Sequence, residues 1–472
     1  MEELATPLSA IAPEMDFHVL RHTTGRCHHC TAELPAEVRV YKDRVDLFKL
    51  CPDCGPCTQL LSKDPDYWAE LDTYYFKVNS ENYPQRDYII RMTERCNLQC
   101  PICLAKANTE DTPDLDLSGL EELLSQRRGI KIDLMAAEPT IRKDLEDWIR
   151  RVKEKGHIAA LHTNGIRLAK LDYVKRLRDA GVDEVFIQFD GFDDEANLAL
   201  RGRRLLETRM QALDNLREAG IATSLIVVIA KDLNEDQVAE TFRFATKPGN
   251  GFIREVFFLG LRMLGSARHG CELGEDQALM PDEIIDLLVQ QEPRITRDDI
   301  RAFNKLYFAM LSTMKVKKCL YVQHYLVFRD DDGTWTPASE VLDLPGGERA
   351  ADKYAARLDK RGRVVASAGL AAALARQGLR PSAWKHLGAL RRLEQLTETG
   401  MNLRDVPKSA LLLGFITACD PHNFDAQVAV NCGKGELSSD GGFIESGAVA
   451  NVKREARFDE SGREPPKRKK KG

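Results

Sequence analysis

Three cysteines, Cys96, Cys100 and Cys103, stand within the run Cys96-Asn97-Leu98-Gln99-Cys100-Pro101-Ile102-Cys103, just after the strand-like stretch Asp87-Tyr88-Ile89-Ile90-Arg91-Met92. A four-iron cluster is ordinarily held by four thiolates. A single loop offering three would leave one iron of such a cluster open, and an open metal position is where chemistry can occur. The plainer alternatives are a three-cysteine zinc site or buried thiols.

The other cysteines also fall at ligand spacing. Cys27-His28-His29-Cys30 and Cys51-Pro52-Asp53-Cys54 are two C-x2-C knuckles with 20 residues between them. The alternating stretches Val38–Tyr41 and Val45–Phe48 between them predict a hairpin. Two knuckles on a hairpin read as a zinc-ribbon or rubredoxin-like module over 25–84, with Cys27, Cys30, Cys51 and Cys54 as ligands. Tetrahedral sulfur suits zinc and iron equally. Cys57 is surplus to this set. The N-terminal extension 1–24 carries no secretory pattern. Twelve cysteines clustered this way indicate metal ligands in a reducing cytoplasm rather than disulfides. No apolar run reaches the roughly 18 residues of a membrane span. A net charge of −5 makes nucleic acid an unlikely partner.

Residues 85–270 alternate strand-like and helical runs, which predicts a parallel α/β sheet. The strands are Asp87–Met92, Ile130–Met135, Ile158–His162, Glu184–Phe189, Thr223–Ala230 and Glu255–Gly260. Six are too few for a complete eight-fold barrel. Ligands of such folds sit at the carboxyl ends of strands, where three polar motifs fall: Ala136-Ala137-Glu138-Pro139, His162-Thr163-Asn164-Gly165 and Gln188-Phe189-Asp190-Gly191. Gln188 and Asp190, two apart, are expected on one face. Each polar residue could equally serve a structural hydrogen bond, and Glu138 could cap a helix starting near Thr140. Residues 271–435 read as a mixed α+β domain, with a hairpin from Tyr321 and a basic amphipathic stretch, Val364–Leu396, divided by Pro381. Such a stretch is more often a domain face than a peripheral membrane contact. Residues 436–472, ending Lys467-Arg468-Lys469-Lys470-Lys471, are expected to form a disordered basic tail.

The Cys-x3-Cys-x2-Cys loop with the three strand-end motifs resembles the radical S-adenosylmethionine (radical SAM) superfamily. The resemblance implies a partial (β/α)6 barrel carrying a [4Fe-4S] cluster on Cys96, Cys100 and Cys103. Its open iron would chelate SAM, and one electron, from a donor such as flavodoxin or ferredoxin, would yield a 5'-deoxyadenosyl radical that abstracts hydrogen from a substrate carbon. Ile102, Ala137, Glu138, Asn164, Gln188 and Asp190 take the places of SAM-contacting residues. Alanines stand at 136 and 137 where the superfamily usually has Gly-Gly, which puts that loop's geometry in question.

The ribbon, Asp66-Tyr67-Trp68, Asn402-Leu403-Arg404-Asp405 and Asp420-Pro421-His422-Asn423-Phe424-Asp425 extend the resemblance to archaeal tetraether-lipid synthases and pterin-methylating (class D methyltransferase-like) relatives, over about 25–435. It implies carbon–carbon bond formation or alkyl or methyl transfer on a lipid or pterin-like small molecule. Other readings are a peptide- or natural-product-modifying radical SAM enzyme and a catalytically degenerate metal-binding protein. Family members carry auxiliary clusters in the C-terminal part. Here Cys271, Cys319, Cys419 and Cys432 could hold one, against the alternative of buried structural thiols.

Overall fold

The computed structural model describes residues 16–460 except 80–82, 110–112, 127–128, 331, 378–384, 387–401, 438–442 and 445. Leu379, Pro381, most of the basic stretch after it and the terminal lysine run lie outside the described residues.

Four antiparallel strands come first: β1 (Phe17–Arg26), β2 (Glu33–Tyr41), β3 (Val45–Cys51) and β4 (Gly55–Ser62), ordered as in sequence. The expected hairpin is β2–β3, in register Val38↔Leu47 and Val40↔Val45. Because Arg26 pairs with Glu33 and Cys51 with Gly55, both knuckles turn at the same end of the sheet. The ribbon starts earlier than its cysteines suggest: β1 begins at Phe17, inside the expected extension. Its His, Arg and Thr residues hid a strand that pairing with β2 secures. Helix α1 (Pro65–Val78), capped by Asp64, packs Trp68, Leu71 and Tyr75 between the ribbon and the C-terminal helices.

The barrel strands are β5 (Asp87–Arg91), β6 (Lys131–Met135), β7 (Ile158–Thr163), β8 (Glu184–Gln188), β9 (Ala222–Ile229) and β10 (Ile253–Gly260), parallel and in sequence order. Their runs are almost wholly buried, as in parallel sheets covered on both faces. The crossover helices bury one stripe each. The helix Leu145–Glu154 places Leu145, Trp148, Ile149 and Val152 inward at helical spacing.

The C-terminal part does more than cap this barrel. It adds a parallel strand at each edge: β13 (Ala410–Ile416) beside β10, and β14 (Gly435–Leu437) beside β5. An antiparallel β11 (Val322–Arg329) with β12 (Trp335–Pro337) lies beyond β13, and β15 (Phe443–Ile444) beyond β14. The expected tail is a correction: Gly447–Glu460 is a helix packing Ala448 and Val452 against Phe424 and Ala429. The helix Leu344–Gln377 is interrupted at Gly362, whose φ of 74° is left-handed. No described helix is long and apolar enough to cross a membrane.

Candidate active site in the barrel

The cysteine loop leaves β5 and is tied to the end of β6 by backbone bonds from Thr93 N to Ala136 O and Glu138 N to Arg95 O, both 3.1 Å. Asn108 Oδ1 accepts from Cys96 N at 2.9 Å, and Asn164 Nδ2 donates to Asn97 Oδ1 at 2.7 Å. A cavity of about 340 Å³ opens at the strand ends. Cys96, Cys100 and Cys103 line it together with Ile102, Ala137, Glu138, Asn164 and Gln188. Three sulfurs on one cavity wall suit a cluster with one open iron. Ala136 adopts φ 53°, the left-handed region its glycine counterpart would enter freely, so alanine here carries a conformational cost.

Glu138 lies in the cavity wall, yet it is almost fully buried and its oxygens are engaged by the protein. Oε1 accepts from Thr140 N (3.1 Å), Thr140 Oγ1 (2.6 Å) and Thr163 Oγ1 (2.8 Å), and Oε2 accepts from Asn164 N (2.8 Å). Burial pushes its carboxyl above the usual range, with these donors opposing. Glu138 therefore caps the short turn Pro139–Ile141 and fastens β6 to β7. Glu138→Gln turns one acceptor into a donor facing these groups. We expect a loss of about 1–3 kcal/mol in stability, read as a lowered melting temperature, alongside weaker SAM binding measured on the same preparation.

Asp190 is a correction. It is fully buried and does not line the cavity. Strand alternation ends at Gln188, and Asp190, at φ 61°, turns under the barrel end. Its carboxylate takes a two-point bond from Arg201 (2.7 and 2.8 Å), an ion pair with Arg209 (3.1 Å) and Val228 N (3.1 Å). Arg201 in turn lines the cavity together with Cys100. Asp190 thus positions a guanidinium beside a candidate cluster ligand. Sequence reading missed Arg201, although its place in the buried stripe Ala196, Asn197, Leu200 was a signal. It also missed Asn451 and Arg454, which enter the cavity from the C-terminal helix.

The lumen continues inward. A second cavity, also about 340 Å³, shares Ile89, Phe186, Ala418 and Asn451 with the first. Cys319, Cys419 and Cys432 line it. Cys419 follows β13 and Cys432 precedes β14, the edge strands contributed by the C-terminal part. Burial pushes the Cys319 thiol up to about 12. Cys271 does not join them, so the expected four-cysteine set is split. It lies on the segment after β10 and faces a separate cleft of about 920 Å³ on the outer side of the loop, with Cys96 and Gln99.

One part of the lumen wall is ionic. Lys434 bridges Asp87 (2.7 Å) and Asp133, Lys131 pairs with Glu184, and His162 Nε2 meets Asp133 at 3.2 Å while stacking on Phe186. Burial pushes Glu255 up to about 7, with Lys131 and Ser224 opposing. A carboxyl raised on folding retains its proton longer in the native state. Its contribution is fully present below about pH 4 and is lost as pH rises through about 7. Glu255→Gln should therefore flatten the fall in melting temperature between these limits, as a pH series on both proteins would record.

At the ribbon, the ligand atoms of Cys27, Cys30, Cys51 and Cys54 all lie within 4.8 Å of one another, with Cys30 and Cys51 Sγ 3.7 Å apart. That matches the edge of about 3.8 Å in a sulfur tetrahedron with metal bonds of about 2.3 Å. Cys57 Sγ sits 3.9 Å from Cys27 Sγ, behind the set. Metal analysis should give about one zinc or iron per chain at this site beyond the cluster iron, lost when Cys27 and Cys51 are replaced by Ser. His28, Glu275 and His422 also converge, but the two imidazoles stack in parallel at 4.1 Å, and Lys49 Nζ lies 2.9 Å from His28 Nε2. Parallel rings do not aim their in-plane lone pairs at one ion, so this group is a joint between the ribbon and the segment after Cys419.

Residues 90–245 match the Radical SAM superfamily. That stretch carries a radical SAM domain, a family that implies SAM and a [4Fe-4S] cluster. The chain is similar to 7,8-dihydro-6-hydroxymethylpterin dimethyltransferase of Methanocaldococcus jannaschii, 26% identical over 365 residues that span 69% of this chain and 71% of the relative. It is also similar to GTP 3',8-cyclase of Campylobacter jejuni, 29% identical over 229 residues, 47% of this chain and 68% of the relative. Among solved structures, Streptococcus suis SuiB bound to precursor peptide SuiA is 18% identical with a TM-score of 0.37, over 49% of this chain and 53% of SuiB. Native anSMEcpe with bound AdoMet and Cp18Cys peptide is 15% identical with a TM-score of 0.37, over 47% of this chain and 65% of that one. The chain thus spans only about half to two thirds of these solved structures.

Proposed function

We propose that this protein uses SAM and a cluster on Cys96, Cys100 and Cys103 to abstract hydrogen from a small molecule held in the barrel lumen, in a carbon–carbon bond-forming or alkyl- or methyl-transfer reaction. The observation that carries this reading is the lumen running from the cysteine loop to Cys319, Cys419 and Cys432. Bound at the loop, cluster and SAM would supply the hydrogen-abstracting radical. The chain's own residues shape its surroundings. Ala136–Glu138 and Asn164 form the pocket wall, Arg201 places positive charge beside Cys100, and Phe186, Phe257 and Ile226 give the lumen an apolar lining that limits side reactions with water.

Three thiolates, Cys319, Cys419 and Cys432, are the candidate ligands of an auxiliary cluster, with Cys271 outside the set. The ribbon binds zinc or iron, and a flavodoxin- or ferredoxin-type protein is the candidate electron donor. The relative that acts on a pterin makes a pterin-like heterocycle the first substrate to try, and the His162–Phe186 stack offers a flat face for one. The test incubates reduced, cluster-loaded protein with SAM and deuterated 7,8-dihydro-6-hydroxymethylpterin. Deuterium should appear in 5'-deoxyadenosine. Its absence, with 5'-deoxyadenosine still forming, would reject the pterin and leave a lipid as the next substrate to test.

A further inference from the structure

The second cavity has a floor that neither cluster nor SAM accounts for. Two of its lysines are paired with carboxylates. Lys131 is paired with Glu184, and Lys434 with Asp87 and Asp133. Lys318, also buried, has no carboxylate partner among the described residues. Its one hydrogen-bond partner there is His324 Nδ1, at 2.6 Å. An ammonium has three donors, so two remain for the cavity that Lys318 lines. The side chain is held in place: Nζ lies 5.1 Å over the Tyr307 ring, and His324 is flanked by Tyr307 at 5.3 Å and Phe257 at 5.6 Å. A desolvated cation with free donors and no carboxylate in direct contact is costly by itself, with Glu255 and Cys319 acting on it only at longer range. A charge-assisted bond from an entering oxyanion would offset that cost in a low-dielectric site.

Resting on the reading of the lumen as the substrate site, we propose that Lys318, oriented by His324, forms an oxyanion-binding subsite that takes a phosphate or carboxylate of the substrate. The anionic end would lie against β11, while Phe186, shared by both cavities, lies between it and the SAM end. The substrate class is then a molecule with an apolar or planar reacting part and an anionic terminus. The nearby Glu255 is engaged by Ser224 at 3.0 Å and stands 3.9 Å from His324 Nε2.

The rival role for Lys318 is to offset sulfur charge at its neighbour Cys319, and the experiment separates the two. Full-length, cluster-loaded protein is titrated with inorganic pyrophosphate and, separately, succinate at fixed ionic strength, without SAM or reductant. Saturable binding of one or both is expected, and which of them binds distinguishes phosphate from carboxylate. Lys318→Gln should weaken it tenfold or more, with iron content unchanged, whereas Lys317→Gln, on the same cavity wall, should change it less than threefold. In wild-type protein, acetylation of Lys318 read by peptide mass spectrometry should slow at least fivefold when the bound anion is present, a measurement that stands even if Lys318→Gln does not fold. No saturable binding by wild type, equal binding by Lys318→Gln, equal losses in the two lysine variants, or no protection of Lys318 would each overturn the subsite. Lower iron in Lys318→Gln with unchanged anion binding would assign the lysine to the cysteine group instead. Because no SAM is used, failure here leaves the SAM-cleavage reading intact, and failure of SAM cleavage leaves this result readable.

Discussion

Replacing Cys96, Cys100 and Cys103 together by alanine is expected to remove the iron of the barrel cluster, about four per chain, and to reduce SAM cleavage to background. The three side chains are partly exposed on the cavity wall and belong to none of the hydrophobic core clusters, so their loss leaves the strands packed. The loop is held independently by Asn108 and by backbone bonds from Thr93 to Ala136 and from Glu138 to Arg95. The melting profile should therefore change little while iron and activity fall. Iron analysis must be read against the ribbon, whose four sulfurs are untouched in this variant. A triple variant that kept its full iron complement and its SAM-dependent shift in the reduced magnetic resonance spectrum would remove the assignment.

The second large effect is on stability. Asp190 neutralises two buried guanidiniums, Arg201 and Arg209, and both arginines are almost wholly shielded from water. Asp190→Ala leaves two cations facing one another without a counter-charge. Breaking a buried ion pair from one side costs about 3–5 kcal/mol, so a large drop in melting temperature is expected. Asp190→Asn, which keeps hydrogen-bond acceptance to Val228 N, should be milder. Had Asp190 been a ligand-facing side chain instead, Asp190→Ala would weaken SAM binding and leave the melting temperature in place.

The parts of this protein legible in its sequence are those governed by local rules. Cysteine spacing located both metal-type loops, and period-two alternation located the β2–β3 hairpin. Buried apolar runs located all six barrel strands, and Ile102, Ala137, Glu138, Asn164 and Gln188 do meet in one cavity. What failed depended on distant partners. Asp190 was expected to face ligand because Gln188 and Asp190 are two apart, but the strand ends between them and a left-handed turn re-aims the carboxylate. Cys271 was grouped with Cys319, Cys419 and Cys432 by elimination, whereas the sheet brings together the ends of β11, β13 and β14 and not the segment after β10. Gly447–Glu460 reads as a tail because it follows the Gly- and Ser-rich run after Cys432, although its Ala, Lys, Arg and Glu residues are good helix formers. Its stability comes from tertiary contacts, including Glu455 with Gly265 N and Arg454 with Glu436. The same contacts bring Asn451 and Arg454 into the site.

The ribbon and the barrel are physically joined at the cysteine loop. Arg268 donates to the carbonyls of His28 and His29 at 3.1 and 2.9 Å, and two residues earlier Ser266 N donates to Cys103 O at 2.9 Å. Gly265 can pass there only without a side chain, since a Cβ would come within 2.2 Å of Cys103 O. The knuckle and the cluster loop are thus two sides of one short segment.

The most direct test of this account is the formation of 5'-deoxyadenosine from SAM by the full-length protein, anaerobically loaded with iron and sulfide and reduced with dithionite. Time-dependent 5'-deoxyadenosine, dependent on reductant and absent from the Cys96, Cys100 and Cys103 triple-alanine variant, is expected. Protein that carries iron on all three of these cysteines, binds SAM and still makes no 5'-deoxyadenosine would contradict it.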